Sequence, residues 1–314
     1  MSGYEFDFYD KTSLKSYNLE ATMRYQLSML ENLDNVTRTH SENVASLVCR
    51  ICEYLRCKTS FTSYCTISAY LHDIGKLYIP KEIVNKPEKL TDSEYEIMKT
   101  HTLIGYKICM DDLQLRPYAL GVKYHHESLN GTGYPESLKG SQIPYEAQII
   151  KVADEYDAIV AKRQYKTHIN ISETLKKLLQ ESIAEEHIKS VALDSVAVST
   201  KAGRMNRKVV KALFKVVIDD TAYEISCVSG YIDFLKEQIK RLNCIIDYNK
   251  KMDIAKNEKK KNYYKEGMRM LFNEGETFEN YKQVYEEYER ALENRTEIIN
   301  KLYNEIKIIK KLRV

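Results

Sequence analysis

The 314-residue sequence predicts an all-α fold, and three observations carry that expectation. Apolar residues recur at three- and four-residue steps along most of the chain, the spacing of one helix face. The five prolines, at 80, 87, 117, 135 and 144, fall within one short window, so the stretches on either side are free of helix breakers. Almost no segment sustains the period-two alternation of a half-buried strand. The chain is long enough for one large or two modest domains with a substantial core.

The elements follow in order. Leu19 to Leu33 and Ser41 to Leu55 read as amphipathic helices, and a third runs from Phe61 to Ile74 with Gly75 as its stop signal. Thr91 is a good cap for a helix from Asp92 to Cys109, and Pro117 suits the first turn of one reaching Glu127. Gln142 to Val160 and Ser172 to Ile188 follow, the second capped by Ser172 with Glu173 in its first turn. Residues 190–206 leave strand, helix and loop open, and Arg207 to Val217 reads as helix. Ile232, Leu235, Ile239, Leu242 and Ile246 then step by three and four. From Phe278, the residues Tyr281, Tyr285, Tyr288, Leu292, Ile299, Leu302, Ile306 and Ile309 hold a seven-residue register interrupted at Arg295. Such a seam closes an intramolecular helical hairpin or pairs residues 278–312 with a second copy or a helical partner; the internal bundle is the simpler expectation.

Charge divides the chain in the same place. The net charge is +3, yet residues 1–249 carry 32 basic against 33 acidic groups, while 250–314 carry 16 against 12. Acidic residues interleave the basic runs and no recognition motif accompanies them, so a nucleic-acid polymer is not an expected partner. No apolar stretch reaches the length of a membrane span, and the acidic, aromatic start does not resemble a signal peptide, which together predict a cytoplasmic protein. Seven cysteines without regular spacing point to reduced thiols. Cys49 and Cys52 lie among Val44, Leu47, Val48 and Ile51 at helical spacing, so they read as buried small hydrophobes rather than zinc ligands.

Five of the seven histidines lie in or just before the proline window. His72 and Asp73 are adjacent at the end of an apolar helix and lead into Ile74, Gly75 and Lys76. Helix neighbours point about 100° apart, so both can converge on an ion set between them. His125 and His126 form a second pair, His101 and His40 sit on earlier helices, and Asp154 on a later one. Any one of these histidines alone is more often a hydrogen-bonded core residue than a ligand. Five imidazoles with two carboxylates, however, make up the shells of two metals with one carboxylate bridging. Directly after His125-His126-Glu127, the run Asn130-Gly131-Thr132-Gly133-Tyr134-Pro135 reads as a tight, positive-φ loop that brings backbone and one aromatic ring over the site.

Taken together, His72-Asp73-Ile74-Gly75-Lys76, His125-His126-Glu127, the Gly133-Tyr134-Pro135 loop and Ala153-Asp154-Glu155-Tyr156-Asp157-Ala158 resemble the HD-GYP phosphohydrolases over roughly residues 34–217. The resemblance implies an HD-domain helical bundle at 34–220; outside it, apolar periodicity gives a preceding helical segment at 1–33 and a helical, coiled-coil-like extension at 221–314. It implies one metal on His40, His72, Asp73 and Asp154 and another on Asp73, His101, His125 and His126. Iron or manganese is the expected pair, with zinc as the alternative. Val36 stands where three-metal members carry a glutamate, which favours two ions. Lys76 matches the lysine that meets the scissile phosphate, Arg163 and Lys166 match the family's substrate contacts, and Tyr134 is the loop's aromatic ring.

The family hydrolyses cyclic di-GMP. The expected reaction is therefore attack of a metal-bridging hydroxide on one phosphodiester, giving linear pGpG and more slowly GMP. Ser128, Asn130 and Gln164 depart from common family residues and keep another cyclic dinucleotide, such as cyclic GMP-AMP, open as substrate. A sensor or scaffold docking partners through the Gly133-Tyr134-Pro135 loop is the competing non-enzymatic reading. Scaffolds tend to lose ligands, and none is missing here.

Overall fold

The computed structural model describes residues 35–164, 171–183 and 203–312, with backbone alone for 161–164. The expected helix at 19–33 and most of 190–206 lie outside them. Among the described residues there is no strand, only an isolated bridge between Asn130 and Lys139, and no helix is long and apolar enough to cross a membrane. The chain divides into two compact units, with the boundary between Val217 and Ile218.

The first unit is built on helices α1 (Asn35–Tyr54), α2 (Thr59–Leu71) and α7 (Tyr145–Gln164). Helix α1 packs on α2 and α7 through Val44, Ala45, Val48, Cys49, Ile51 and Cys52, all fully buried. Cys49 and Cys52 are thus core residues, and burial drives the Cys49 thiol up to about 12. Between α2 and α7 run α3 (Lys81–Val84), α4 (Asp92–Lys99), α5 (His101–Asp111) and α6 (Ala119–Tyr124). Helix α8 (Ile171–Glu181) packs on α7. Leu71, Ile74, Leu115, Ile149 and Ile150 are large side chains fully removed from water, each stabilising the unit by about 1.5–3 kcal/mol.

Several boundaries differ from the periodicity, for identifiable reasons. The run Asp92–Cys109 is two helices, because the His101 ring takes the Met98 carbonyl (Nδ1 to O 2.6 Å) that a continuous helix would offer to an amide. Thr91 does cap α4, within a reciprocal capping box with Glu94. Helix α2 stops at Leu71 and gives way to a 3₁₀ turn over Ile74–Tyr78. Gly75 is not a left-handed stop there. A Cβ on it would fall 1.9 Å from the His101 carbonyl oxygen and 2.7 Å from the Gly105 nitrogen, so glycine lets the turn lie directly against α5. Pro117 lies in a 3₁₀ turn over Arg116–Tyr118 rather than in α6 itself. Ser172 is not a cap but a buried residue inside α8, which ends at Glu181 rather than 188.

Helix α9 begins at Arg207 as expected but continues to Ile254. In the second unit its residues from 218 onward pack with α10 (Glu258–Leu271) and α11 (Tyr281–Lys311). Leu242, Ile245, Met268 and Tyr281 form the buried centre, flanked by Ile246, Leu271, Phe272, Val284, Tyr285 and Tyr288. The first part of the heptad seam, Tyr281 to Tyr288, thus packs within the chain. Arg295, which interrupts it, lies over the Tyr231 ring at 5.6 Å, replacing an apolar contact with a cation–π one. At the turn into α11, Arg241 forks onto Glu276 through two bonds of 2.6 Å.

Candidate metal centre

His40 projects from the second turn of α1; His72, His101 and His125 stand where α2, α4 and α6 end; Asp154 lies midway along α7. Three of the rings share one local device. His72 Nδ1 meets the Ala69 carbonyl at 2.6 Å, His101 Nδ1 that of Met98 at 2.6 Å, and His125 Nδ1 that of Val122 at 2.7 Å. Each imidazole is paired with a carbonyl in the last turn of its helix, where carbonyls run short of amide partners. A proton on Nδ1 leaves the Nε2 lone pair directed at the cluster, the tautomer a metal ligand needs.

The Nε2 atoms and carboxylates gather in two groups, His40 with His72 and Asp73, and His101 with His125 and His126. Asp73 faces both. Its Oδ2 lies 3.3 Å from His72 Nε2, 3.9 Å from His40 Nε2 and 2.5 Å from Lys76 Nζ, while its Oδ1 lies 3.4 Å from His101 Nε2. Asp154 Oδ1 lies 3.0 Å from His40 Nε2 and 4.0 Å from His72 Nε2, and its Oδ2 3.9 Å from His126 Nδ1. His101 and His125 meet Nε2 to Nε2 at 3.3 Å. All seven expected ligands thus meet in one place, with Lys76 at the rim. Arg163 falls in the last turn of α7 with only its backbone described, and Lys166 lies outside the described residues.

The donor chemistry fits divalent cations. His72 Nε2 is fully buried and makes no hydrogen bond among the described residues, a costly state for a lone pair unless it is used. Burial pushes His101, His125 and His126 below the ordinary imidazole range, so all three are neutral donors. Burial would raise the Asp73 and Asp154 carboxyls, but Lys76, His72 and His101 around the first, and His40, His126 and His72 around the second, outweigh it and keep both ionised. For His40 burial opposes the charge, yet hydrogen bonds to Asp154 and Asp157 raise it to about 10.

Two contributors had no role assigned from the sequence. Asp157 Oδ2 lies 2.7 Å from His40 Nδ1 and fixes that ring as the backbone carbonyls fix the other three. Its signal was the i, i+3 spacing from Asp154 on one helix face. Buried Glu127 accepts from the Glu136 and Leu138 amides at 2.7 and 3.0 Å and holds the far side of the glycine loop. Within that loop Gly131 has φ of +81°, as expected. Gly133 instead meets a close approach, since a Cβ would lie 2.4 Å from the Ser128 nitrogen. The loop seats Tyr134 flat on His126, centroids 4.7 Å apart.

A family model described as an HD domain matches residues 24–187, just over half of the chain. Among curated proteins, a cyclic di-GMP phosphodiesterase of Thermotoga maritima is 40% identical over 156 residues, 48% of this chain and 42% of that one. Cyclic di-GMP phosphodiesterase PA4108 of Pseudomonas aeruginosa is 34% identical over 155 residues, 49% and 37% of the two chains. A 3'3'-cGAMP-specific phosphodiesterase of Vibrio cholerae is 30% identical over 145 residues, 46% and 34%. The chain spans less than half the length of these relatives. The model's match over this paired histidine–aspartate cluster makes the chain a member of the HD-domain family.

Proposed function

We propose that residues 34–220 form a metal-dependent phosphodiesterase that opens cyclic di-GMP to linear pGpG and, more slowly, to GMP, acting in the cytoplasm, with 221–314 as a helical extension. The observation that carries this reading is Asp73, one carboxylate whose two oxygens face two separate sets of imidazoles. His40, His72, Asp73 and Asp154 would hold one divalent ion and Asp73, His101, His125 and His126 the other, iron or manganese suiting the donors best and zinc next. Bound there, two such ions supply an activated water and a clamp on the phosphate oxygens.

The chain's own residues do the rest. Lys76 brings a cation to the edge of the cluster, where it offsets negative charge gathering on the phosphate. Tyr134, held against His126, offers an aromatic face to a base of the substrate. Arg163 and Lys166 are assigned the more distant phosphate. Anaerobically purified, metal-analysed protein should convert cyclic di-GMP to pGpG, followed by chromatography. A metal-loaded preparation that leaves cyclic di-GMP intact while cleaving another phosphate ester sinks the substrate assignment. Cyclic GMP-AMP is the second substrate to run beside it, because a relative named for that substrate matches at 30% identity.

A further inference from the structure

Behind His126 lies a chain of charges, buried at Lys151 and Glu181 and half-buried at Glu155 and Arg204, that the proposed reaction does not use. Lys151, on α7, is 3% exposed. Its ammonium lies 3.1 Å from Glu155 Oε1 and 3.4 Å from the carbonyl oxygen of His126. Glu155 Oε1 also accepts from Arg204 Nη2 at 3.2 Å, and Arg204 Nη1 donates to buried Glu181 at 2.9 Å. The backbone runs parallel to this relay. The Leu129 amide donates to the Arg204 carbonyl at 2.9 Å, and the Arg204 amide to that of Glu181 at 2.8 Å. The same His126 carbonyl that faces Lys151 also receives the Tyr134 amide at 3.4 Å. Alternating charges thus join α7 and α8 to the segment that opens α9, and they end on the peptide between the paired histidines and the glycine loop.

Burying Lys151 and Glu181 and half-burying Glu155 and Arg204 is expensive, and comparable apolar packing often stabilises as well or better. What the relay supplies is position. His72, His101 and His125 have a backbone carbonyl three residues back to orient them, and His40 has Asp157; none of these devices serves His126. We propose that Lys151, backed by Glu155, Arg204 and Glu181, is the positioning residue for His126 and the loop that starts there, and so sets affinity at the second ion alone. The inference rests on the two-ion reading of the cluster but not on the choice of substrate.

Manganese titration of the full chain tests it, with calorimetry for affinity and electron paramagnetic resonance for coupling between ions. The native protein should take up two equivalents with the spectrum of an interacting pair. Lys151→Met, which keeps length and bulk, should leave the first equivalent and the melting temperature unchanged. It should weaken the second by at least about tenfold, the usual effect of losing an outer partner, and give the six-line spectrum of an isolated ion. His126→Ala supplies the benchmark for losing that ion outright. Should Lys151→Met fail to fold, Glu155→Gln is read in its place and should show the same selective weakening. Two unchanged affinities, or two affinities weakened alike, would overturn the positioning role. A native chain that binds no manganese sinks the two-ion reading and this inference with it; intact cyclic di-GMP in the presence of two bound ions touches only the substrate.

Discussion

Asp73 carries the greatest weight of any single residue, since its two oxygens are the shared boundary of both imidazole groups. Asp73→Ala should bring turnover to background and leave no coupled manganese pair; persistent turnover would remove Asp73 from the site. Asp157 acts at one remove, through the His40 Nδ1 proton. Asp157→Ala should weaken the first manganese equivalent by about 10- to 100-fold, measured by calorimetry, with the second within twofold of native. The seven residues that meet in the cluster were legible as candidates because two adjacent pairs, His72–Asp73 and His125–His126, are chemically pointed, and His40, His101 and Asp154 completed the family pattern around them. Asp157, Glu127 and Lys151 were not legible as contributors. The partners of Glu127 and Lys151 are loop amides and a carbonyl, which leave no mark on residue spacing, and the one mark of Asp157, its i, i+3 step from Asp154, does not say which ring it meets.

Apolar periodicity reads well along elements and poorly at their ends, as α4 and α5 illustrate. Nothing in the period of Asp92–Cys109 announces that an imidazole will take the Met98 carbonyl, so the break at Thr100 came only from the structure. Gly75 is a related case, read as a helix stop when its role is to let the 3₁₀ turn touch α5. Gly75→Ala should force the turn and His101 apart. We expect a loss of about 1–3 kcal/mol or more from overpacking, seen in denaturant unfolding, together with weakened manganese binding. Native stability in that variant would mean the turn has room to move.

For the molecule as a whole, the division into two units sets what a distant mutation can reach. Leu242→Ala empties part of the second unit's core and should cost that unit about 2–5 kcal/mol, while manganese affinity stays native; a parallel fall in affinity would show the units to be energetically linked. The Arg241–Glu276 pair adds a pH signature. Burial alone would raise the Glu276 carboxyl, but the Arg241 fork and the Asn273 amide hold it below its ordinary value of 4.5. Its contribution is therefore complete above that value and is lost as pH falls through the lower folded one. The melting temperatures of native protein and Glu276→Gln should differ at pH 7 and converge towards pH 3.

The heptad seam was legible as a seam but not as to its partner, because an internal hairpin and a dimer bury the same residues. Tyr281, Tyr288 and Arg295 meet residues 231–248 of the same chain, so that part of the seam is covered internally.

The bonds from His72, His101 and His125 to the carbonyls three residues behind them make ring orientation a property of four-residue segments, Ala69–His72, Met98–His101 and Val122–His125. Each segment is a portable module, a helix end with its donor already aimed. Grafted onto helix termini of an unrelated bundle, such modules would bring their rotamers with them, leaving only the distances between helix ends to be designed.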